Sequence, residues 1–321
     1  MSEWDLNWPR GLGGPAIRAD FRTLPEDFAV DELVTPDRAD SGEHVYLQLC
    51  KRCANTHWAA QQIARLAGVR SQDIGFCGLK DRHAAATQWF SVYLPRKPEP
   101  DWTQLQSDQI RVLQKWRGPR KLRRGEHHGN RFRIRLRRVS GDRDGARELL
   151  AALSAGVPNY FGEQRFGRRG ANLDLARSLA EEGIRCSRRE KAFAMSAARS
   201  WLFNQVLGER VRAGNWRAQL AGDPDTGPSG PLWGRGRNPA TAEQGELEAA
   251  LLAPWRQWCD WLEHCGLRQE RRRLILEPAD LAHSWEEDSL ELSFTLPVGA
   301  FATTVLGELA ELVNSSAANI E

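Results

Sequence analysis

The chain has 321 residues, of which 41% are hydrophobic and 27% charged, with a formal net charge of +3. That is enough apolar material for one large or two medium packed domains, and it excludes a chain disordered over most of its length. No stretch reaches the run of about 18 apolar residues that a membrane helix needs, and the opening MSEWDLNWPRG lacks the apolar segment of a secretory leader, so no membrane association and a cytoplasmic location are expected.

In chain order, the first glycine cluster, Gly11-Leu12-Gly13-Gly14, lacks the Gly-Lys-Ser/Thr ending of a phosphate loop. The stretch from Thr23 to Glu32 reads as a turn entering a short strand, with Phe28 and Val30 on one face. Cys50 and Cys53 have the spacing of half a zinc site, with His44 and His57 nearby, but Cys259 and Cys265 are too widely spaced to complete it. The six cysteines are scattered, as suits a reducing compartment, and no metal is expected. Asn55-Thr56 predicts the cap of a helix carrying Trp58, Ile63, Leu66 and Ala67 at helical spacing.

Gly78-Leu79-Lys80-Asp81-Arg82-His83-Ala84, closing with Gln88, sets one carboxylate between two cations in a glycine-opened turn, ahead of a predicted strand from Trp89 to Leu94. A lone Asp in a turn usually forms an Asx-turn or a helix cap, so a functional reading of Asp81 needs support from elsewhere in the chain. Between Arg111 and Arg138 stand twelve Lys or Arg and one acid, Glu126. A face this basic favours RNA or DNA, because each neutralised phosphate releases counterions. The alternative is a solvated face balanced by distant acids such as Glu286, Glu287 and Asp288. Within the stretch, Arg131 to Arg137 alternates strictly, so a strand there buries Phe132, Ile134 and Leu136 and shows four arginines on its other side. Gly129-Asn130 signals a turn that leaves Asn130 at the strand's entrance.

From about Pro158 the pattern becomes helical and arginine-punctuated, with Met195, Ala198, Leu202 and Val206 at near-helical spacing. The Gly/Pro density from Gly222 to Pro239 predicts loop throughout. A charge-rich stretch at 268–273 marks a composition shift, after which Leu290, Leu292, Phe294 and Leu296 alternate as a strand expected to rejoin the N-terminal sheet. Pro297-Val298-Gly299-Ala300 then turns into a predicted helix bearing Val305, Leu306, Leu309, Leu312 and Val313.

Seven ordered blocks together resemble the TruD family of tRNA pseudouridine synthases over nearly the whole chain. They are Pro25 to Phe28, Asn55-Thr56, Gly78 to Gln88, Gly129-Asn130 with Phe132, Pro158 to Gly167 (PNYFGEQRFG), Ser196 to Asn204 (SAARSWLFN) and Leu296 to Thr303 (LPVGAFAT). The resemblance implies an α+β fold, a pseudouridine synthase core of mixed, largely antiparallel sheet formed by residues 1–155 and 268–321, split by an inserted α/β TRUD domain at 156–267. It implies isomerisation of uridine to pseudouridine in tRNA, at position 13 of the D arm, with no cofactor and no metal, and no obligate protein partner is evident. Carried over residue by residue, the nucleophile falls on Asp81 and the substrate contacts on Phe28, Asn130, Phe132 and Phe301. A supporting basic residue falls on Arg22, where the family commonly has lysine. Two further departures are Ala86, with Thr87 just beyond it, where the family often has threonine, and Gly307, where arginine usually precedes the glutamate.

The chemistry requires breaking the N-glycosidic bond, turning the uracil over and joining C5 to the ribose, on a base first flipped out of its stack. Aromatic side chains offset flipping by stacking, and Asn130 can donate to and accept from a uracil edge. The anionic Asp81 needs a nearby cation if it is buried. Lys80, one of only six lysines, and Arg82 are its sequence neighbours, whereas Arg22 would have to arrive from another segment. Whether Asp81 attacks the ribose C1′, adds to uracil C6 or abstracts a ribose proton is left open by the sequence. Glu26, Asp27 and Glu32 could supply a second carboxylate, but capping and solvent-facing roles account for them. His127 and His128 read as exposed loop residues within a basic stretch. The rival functions are a non-catalytic tRNA-binding protein or chaperone on the same fold, and a zinc-bearing nucleotide-modifying enzyme using Cys50 and Cys53.

Overall fold

A computed structural model describes residues 4–39, 41–95, 97–224 and 227–314. In chain order the strands and helices are β1 (Ile17–Phe21), β2 (Phe28–Leu33), β3 (His44–Arg52), α1 (Thr56–Ala67), β4 (Ile74–Phe76), β5 (Ala85–Tyr93), β6 (Ile110–Gly118) and β7 (Gly129–Gly141). There follow α2 (Arg143–Leu153), β8 (Val157–Pro158), α3 (Ala171–Arg177), α4 (Arg188–Arg212), β9 (Ser229–Leu232), α5 (Ala242–Leu252), α6 (Arg256–His264), β10 (Glu270–Arg273) and β11 (Ile275–Leu276). The chain closes with β12 (Ala279–Glu286), β13 (Ser289–Pro297), α7 (Ala302–Leu309) and β14 (Ala310–Asn314). Two compact units result: a sheet unit of Ile17–Arg143, Pro278–Gly299 and the stretch from Glu311, and a helical unit of the stretch ending at Ala16, Asp144–Glu277 and Ala300–Ala310.

The sheet unit is built on one mixed sheet ordered β12-β13-β7-β2-β5-β3-β6, to which β1, β4 and β14 attach. The β2–β5 pair is parallel, and β7 runs antiparallel to both β2 and β13. This is the expected α+β mixed sheet, and β13 does rejoin the N-terminal strands. Strict alternation places Phe132, Ile134 and Leu136 of β7 in the core, each at most 7% exposed. Burial of such side chains contributes about 1.5–3 kcal/mol apiece. Helix α1 starts where Asn55 Oδ1 accepts from the Trp58 amide at 2.8 Å and ends at Gly68, whose φ of 60° is the left-handed geometry glycine tolerates. Its Ala59, Ala60 and Ile63 pack on Leu47, Leu49, Phe90 and Val92 of the sheet.

The helical unit is organised around α4, capped by a reciprocal Ser187–Glu190 box. Ala198, Leu202 and Val206 face its core as their spacing predicted, together with a tryptophan cluster of Trp4, Trp8, Trp201, Trp255 and Trp258. Where the sequence drew the inserted segment as 156–267, this contact-defined unit also takes in 144–155, 268–277, the stretch ending at Ala16 and Ala300–Ala310. The charge-rich stretch is here a strand, β10, paired with β9.

Two expectations are corrected. The Gly222 to Pro239 segment is not all loop, since Ser229–Leu232 forms β9; Asp225 and Thr226 lie outside the described residues. In this two-stranded sheet Pro231 stands opposite Arg271, and at Gly230 an added Cβ would lie 3.0 Å from the Phe203 ring. The last helix also stops early. Ala310 turns extended, at φ −136° and ψ 144°, and Leu312 and Val313 lie in β14, which pairs with β1. Strand pairing prevails over the short helical pattern.

Candidate active site

The site lies on one face of the sheet unit. Phe28, Val30 and Glu32 alternate along β2, and their partners on β7 are Ile134, Phe132 and Asn130. Phe28 and Phe132 meet at 5.9 Å between ring centroids, and Phe132 packs on Phe294 of β13 at 5.6 Å. Both Phe28 and Phe132 are buried, so they are also core residues. Asn130 is half-buried, and its Oδ1 is buried without a hydrogen-bond partner.

Asp81 sits in the turn before β5. Its Oδ1 accepts from the His83 amide at 3.1 Å, an Asx-turn, so the bland reading of this residue holds locally. Its Oδ2 does something more, pairing with Arg22 Nη2 at 2.8 Å. Arg22 arrives from the end of β1 with a φ of 60°, rare for a residue with a side chain. Its guanidinium stands 4.4 Å from the Phe28 ring centroid. Burial lowers the Arg22 pKa from its ordinary value, and the Asp81 carboxylate opposes that shift. With 28% of its side chain exposed, Asp81 is held by one cation and one amide yet remains open to a reactant.

Lys80 points the other way, into the interior. Its Nζ meets Glu32 Oε1 at 2.5 Å, with side-chain exposures of 5% and 0%. Glu32 is therefore neither a cap nor solvent-facing, contrary to the sequence reading. Gln88 Nε2 donates to Gly78 O at 2.7 Å and to Glu32 Oε1 at 3.3 Å. Thr56 Oγ1 accepts from the Lys80 amide at 2.9 Å and donates to Gln88 Oε1 at 3.0 Å. The turn carrying Asp81 is thus tied to β2, β5 and the start of α1 by buried polar groups. At Gly78 an added Cβ would lie 2.8 Å from Lys80 Nζ and 2.9 Å from Glu32 Oε1, so a side chain there would displace the buried pair.

Lys51 is a functional candidate the sequence reading missed. It is fully buried on β3 opposite Ala86, the site of one family departure, and its Nζ donates to Ala54 O at 2.9 Å. Burial, reinforced by the Lys80 cation, lowers its pKa to about 8. His127 is also buried, not exposed as expected, whereas His128 is exposed. Burial lowers the His127 pKa, and the charges of Glu32 and Lys80 act on it in opposite senses. Of the other two carboxylates, Glu26 is exposed and pairs with Arg52, while Asp27 is buried, caps Leu24 N and takes Arg137 at 2.7 Å.

The remaining predicted residue, Phe301, belongs to the helical unit, immediately before α7, where its ring stands 6.0 Å from that of Phe161. The basic stretch is largely compensated within the sheet unit. Arg133 pairs with Asp31, Arg135 with Glu286 and Glu291, Arg137 with Asp27, Arg138 with Asp20, and Arg117 and Lys115 with Glu99. The alternative of distant balancing acids thus accounts for the arginines of β7 beyond Arg131. Cys50 and Cys53 are free, and among the described residues no three His, Cys, Asp or Glu side chains gather into a metal-binding group. No helix among the described residues is long and apolar enough to cross a membrane.

Comparison with known proteins gives this constellation a family. The model of the family described as tRNA pseudouridine synthase D (TruD) matches residues 12–186 and 224–309. The tRNA pseudouridine synthase D of Cellvibrio japonicus is 51% identical over 322 residues, covering 98% of this chain and 96% of that protein. The protein of that name from Nitrosococcus oceani is 46% identical, covering 92% and 91%. A crystal structure from Methanosarcina mazei, described as a candidate tRNA pseudouridine synthase D, superposes with a TM-score of 0.71 at 20% identity, covering 96% of this chain and 97% of that one, and shares the fold. The first interval of the family match runs through the strand bearing Phe28 and the turn bearing Asp81, and this chain belongs to the tRNA pseudouridine synthase D family.

Proposed function

We infer that this chain is an isomerase that converts uridine to pseudouridine in tRNA, with Asp81 as its nucleophile. The observation that carries the assignment of Asp81 is its pairing with Arg22 at 2.8 Å beside the Phe28 ring, which leaves a carboxylate oriented and accessible next to an aromatic surface. A carboxylate is a weak nucleophile, so its effect depends on being held at near-attack distance from the nucleoside. The reaction is a net isomerisation: the C1′–N1 bond breaks, the C1′–C5 bond forms, C5 loses a proton and N1 gains one. It therefore balances without a co-substrate.

In this reading Phe28 and Phe132 stack against the flipped base, which offsets about 1–3 kcal/mol of unstacking per contact. The Oδ1 of Asn130, buried and without a partner, accepts from a uracil N–H. Phe301 is a further substrate contact on the family resemblance. Arg22 supplies the counter-charge of Asp81, and Lys80 holds the turn through Glu32. The target position is uridine 13 of the D arm, the sheet unit is the catalytic half, and the reaction takes place in the cytoplasm.

Carbodiimide mapping of unmodified tRNA transcripts, incubated with wild type or Asp81→Ala in the presence of a chelator, tests this reading. A new stop at uridine 13 with wild type alone is expected, with tRNA binding kept by the variant. Stops from both proteins, or equal loss of binding and product in the variant, would refute Asp81 as the nucleophile.

A further inference from the structure

The helical unit holds a second charged cluster that the site described above does not use. Arg165 and Arg272 both lie against the Phe161 ring, at 5.5 and 4.2 Å from guanidinium carbon to ring centroid. Arg165 also stands 5.5 Å from the Phe301 ring. Arg272 is fixed from below by Asn159, whose backbone oxygen accepts from its Nε at 3.2 Å and whose Oδ1 accepts from its Nη2. Arg165 Nη1 donates to Ser196 Oγ at 3.0 Å, but its Nε is buried without a hydrogen-bond partner. Among the described residues, no carboxylate lies within ion-pair distance of Arg165.

Two half-buried guanidiniums on one ring repel each other, and burial with that repulsion lowers the Arg272 pKa to about 10. Burial alone lowers that of Arg165. The contrast with the rest of the chain is direct. The arginines of β7 that follow Arg131 are matched by carboxylates, and the fully buried Arg210 has Asp223 at 3.3 Å. Unlike those arginines, Arg165 combines a half-buried guanidinium with no carboxylate partner and an unused Nε, and such a cation is a place where the anion comes from a ligand.

We propose that Arg165 and Arg272, stacked on Phe161 beside Phe301, form a binding site for one phosphodiester of the RNA backbone. The proposal rests on tRNA being the substrate. The planar guanidiniums take the phosphate oxygens as charge-assisted donors, Arg165 through its unused Nε, while Phe161 keeps both forks in place. Phe301 provides the ring face on which a base or ribose next to that phosphate can rest.

The test compares wild type with Arg165→Met, which keeps the aliphatic stem, and with Arg165→Lys, which keeps a charge. Two readouts are taken: fluorescence anisotropy of an unmodified tRNA transcript from about 50 to 200 mM KCl, and thermal unfolding in sodium phosphate against chloride at matched ionic strength. With Arg165→Met the tRNA Kd is expected to rise about tenfold, and the slope of log affinity against log salt to shrink by roughly one phosphate's share, ~0.7–0.9. Arg165→Lys recovers part of both. The Tm of Arg165→Met in chloride is expected to be unchanged or higher than wild type, and the extra stabilisation that phosphate gives wild type is expected to vanish. A lower Tm with an unchanged salt slope would make Arg165 a packing residue and overturn the site. A phosphate effect on Tm without any change in tRNA affinity would assign the site to a free anion, and equally overturn the RNA contact. Failure of wild type to bind or modify tRNA would instead remove the functional reading, visibly and before any variant is compared.

Discussion

The buried Lys80–Glu32 pair makes the sharpest quantitative demand on this fold. At 2.5 Å the two charges attract by about 7 kcal/mol at an effective dielectric of about 20, and desolvation of both ions offsets much of that. Truncating either partner leaves the other charged and buried, so Lys80→Met and Glu32→Leu should each lower unfolding stability by about 3–5 kcal/mol. The double variant removes both charges together, and Gln88 keeps its second bond, to Gly78 O. It should therefore recover to within ~1 kcal/mol of wild type, or exceed it. Urea unfolding followed by circular dichroism gives the cycle directly. Pseudouridine formation by the double variant then separates stability from positioning: a protein as stable as wild type but slow in turnover, with unchanged tRNA affinity, is expected if the pair sets the Asp81 turn. Singles that sum to the double, with a coupling below ~0.5 kcal/mol, would refute the pair as an energetic unit.

Two further outcomes can be checked on stability alone. Lys51 has its pKa lowered to about 8 from an ordinary 10.5, so between those values the unfolded chain binds more protons and stability rises with pH. Its penalty is fully present below about pH 8, and Lys51→Met should remove it, raising stability near neutral pH by on the order of 3 kcal/mol. The gap between variant and wild type should close by pH 10.5 in unfolding curves taken across that range, and a constant gap would reject the titration of Lys51. Gly307 sits inside α7, and an added Cβ there meets nothing within 4 Å. Gly307→Ala should stabilise by about 1 kcal/mol through helix propensity; a loss measured by thermal unfolding would mean that the helix needs the glycine.

The sequence made some of this legible and hid the rest for physical reasons. The alternation of Arg131 to Arg137 located β7, and Asn55 located the start of α1, because both signals are local. Asp81 stood out only through the resemblance of its block, since its own turn chemistry is ordinary. The burial of Glu32 was in fact written in β2: a period of two puts it on the face of Phe28 and Val30. The same period puts Lys51 behind Leu47 and Leu49 on β3. In both strands the charged residue at the end of an apolar alternation marks a buried polar site. Pairing across long separations left no local trace. Arg22 reaches Asp81 and Arg135 reaches Glu291 only through the sheet register, so the basic stretch looked freer in sequence than it is in the fold.

The position of β13 between β12 and β7 has a consequence for biosynthesis. Strand β7 ends at Gly141, but the neighbour that closes one of its edges begins at Ser289. At typical elongation rates roughly ten to thirty seconds separate their synthesis. During that interval the part of β7 from Gly129 to Leu136 has one ladder of amides and carbonyls open, and the residues of the helical unit emerge meanwhile. An open edge with apolar side chains invites pairing with other chains, and charged side chains blunt that tendency. Arg135, whose carboxylate partners Glu286 and Glu291 are still untranslated at that stage, therefore stays charged and unpaired and helps to shield the unfinished edge.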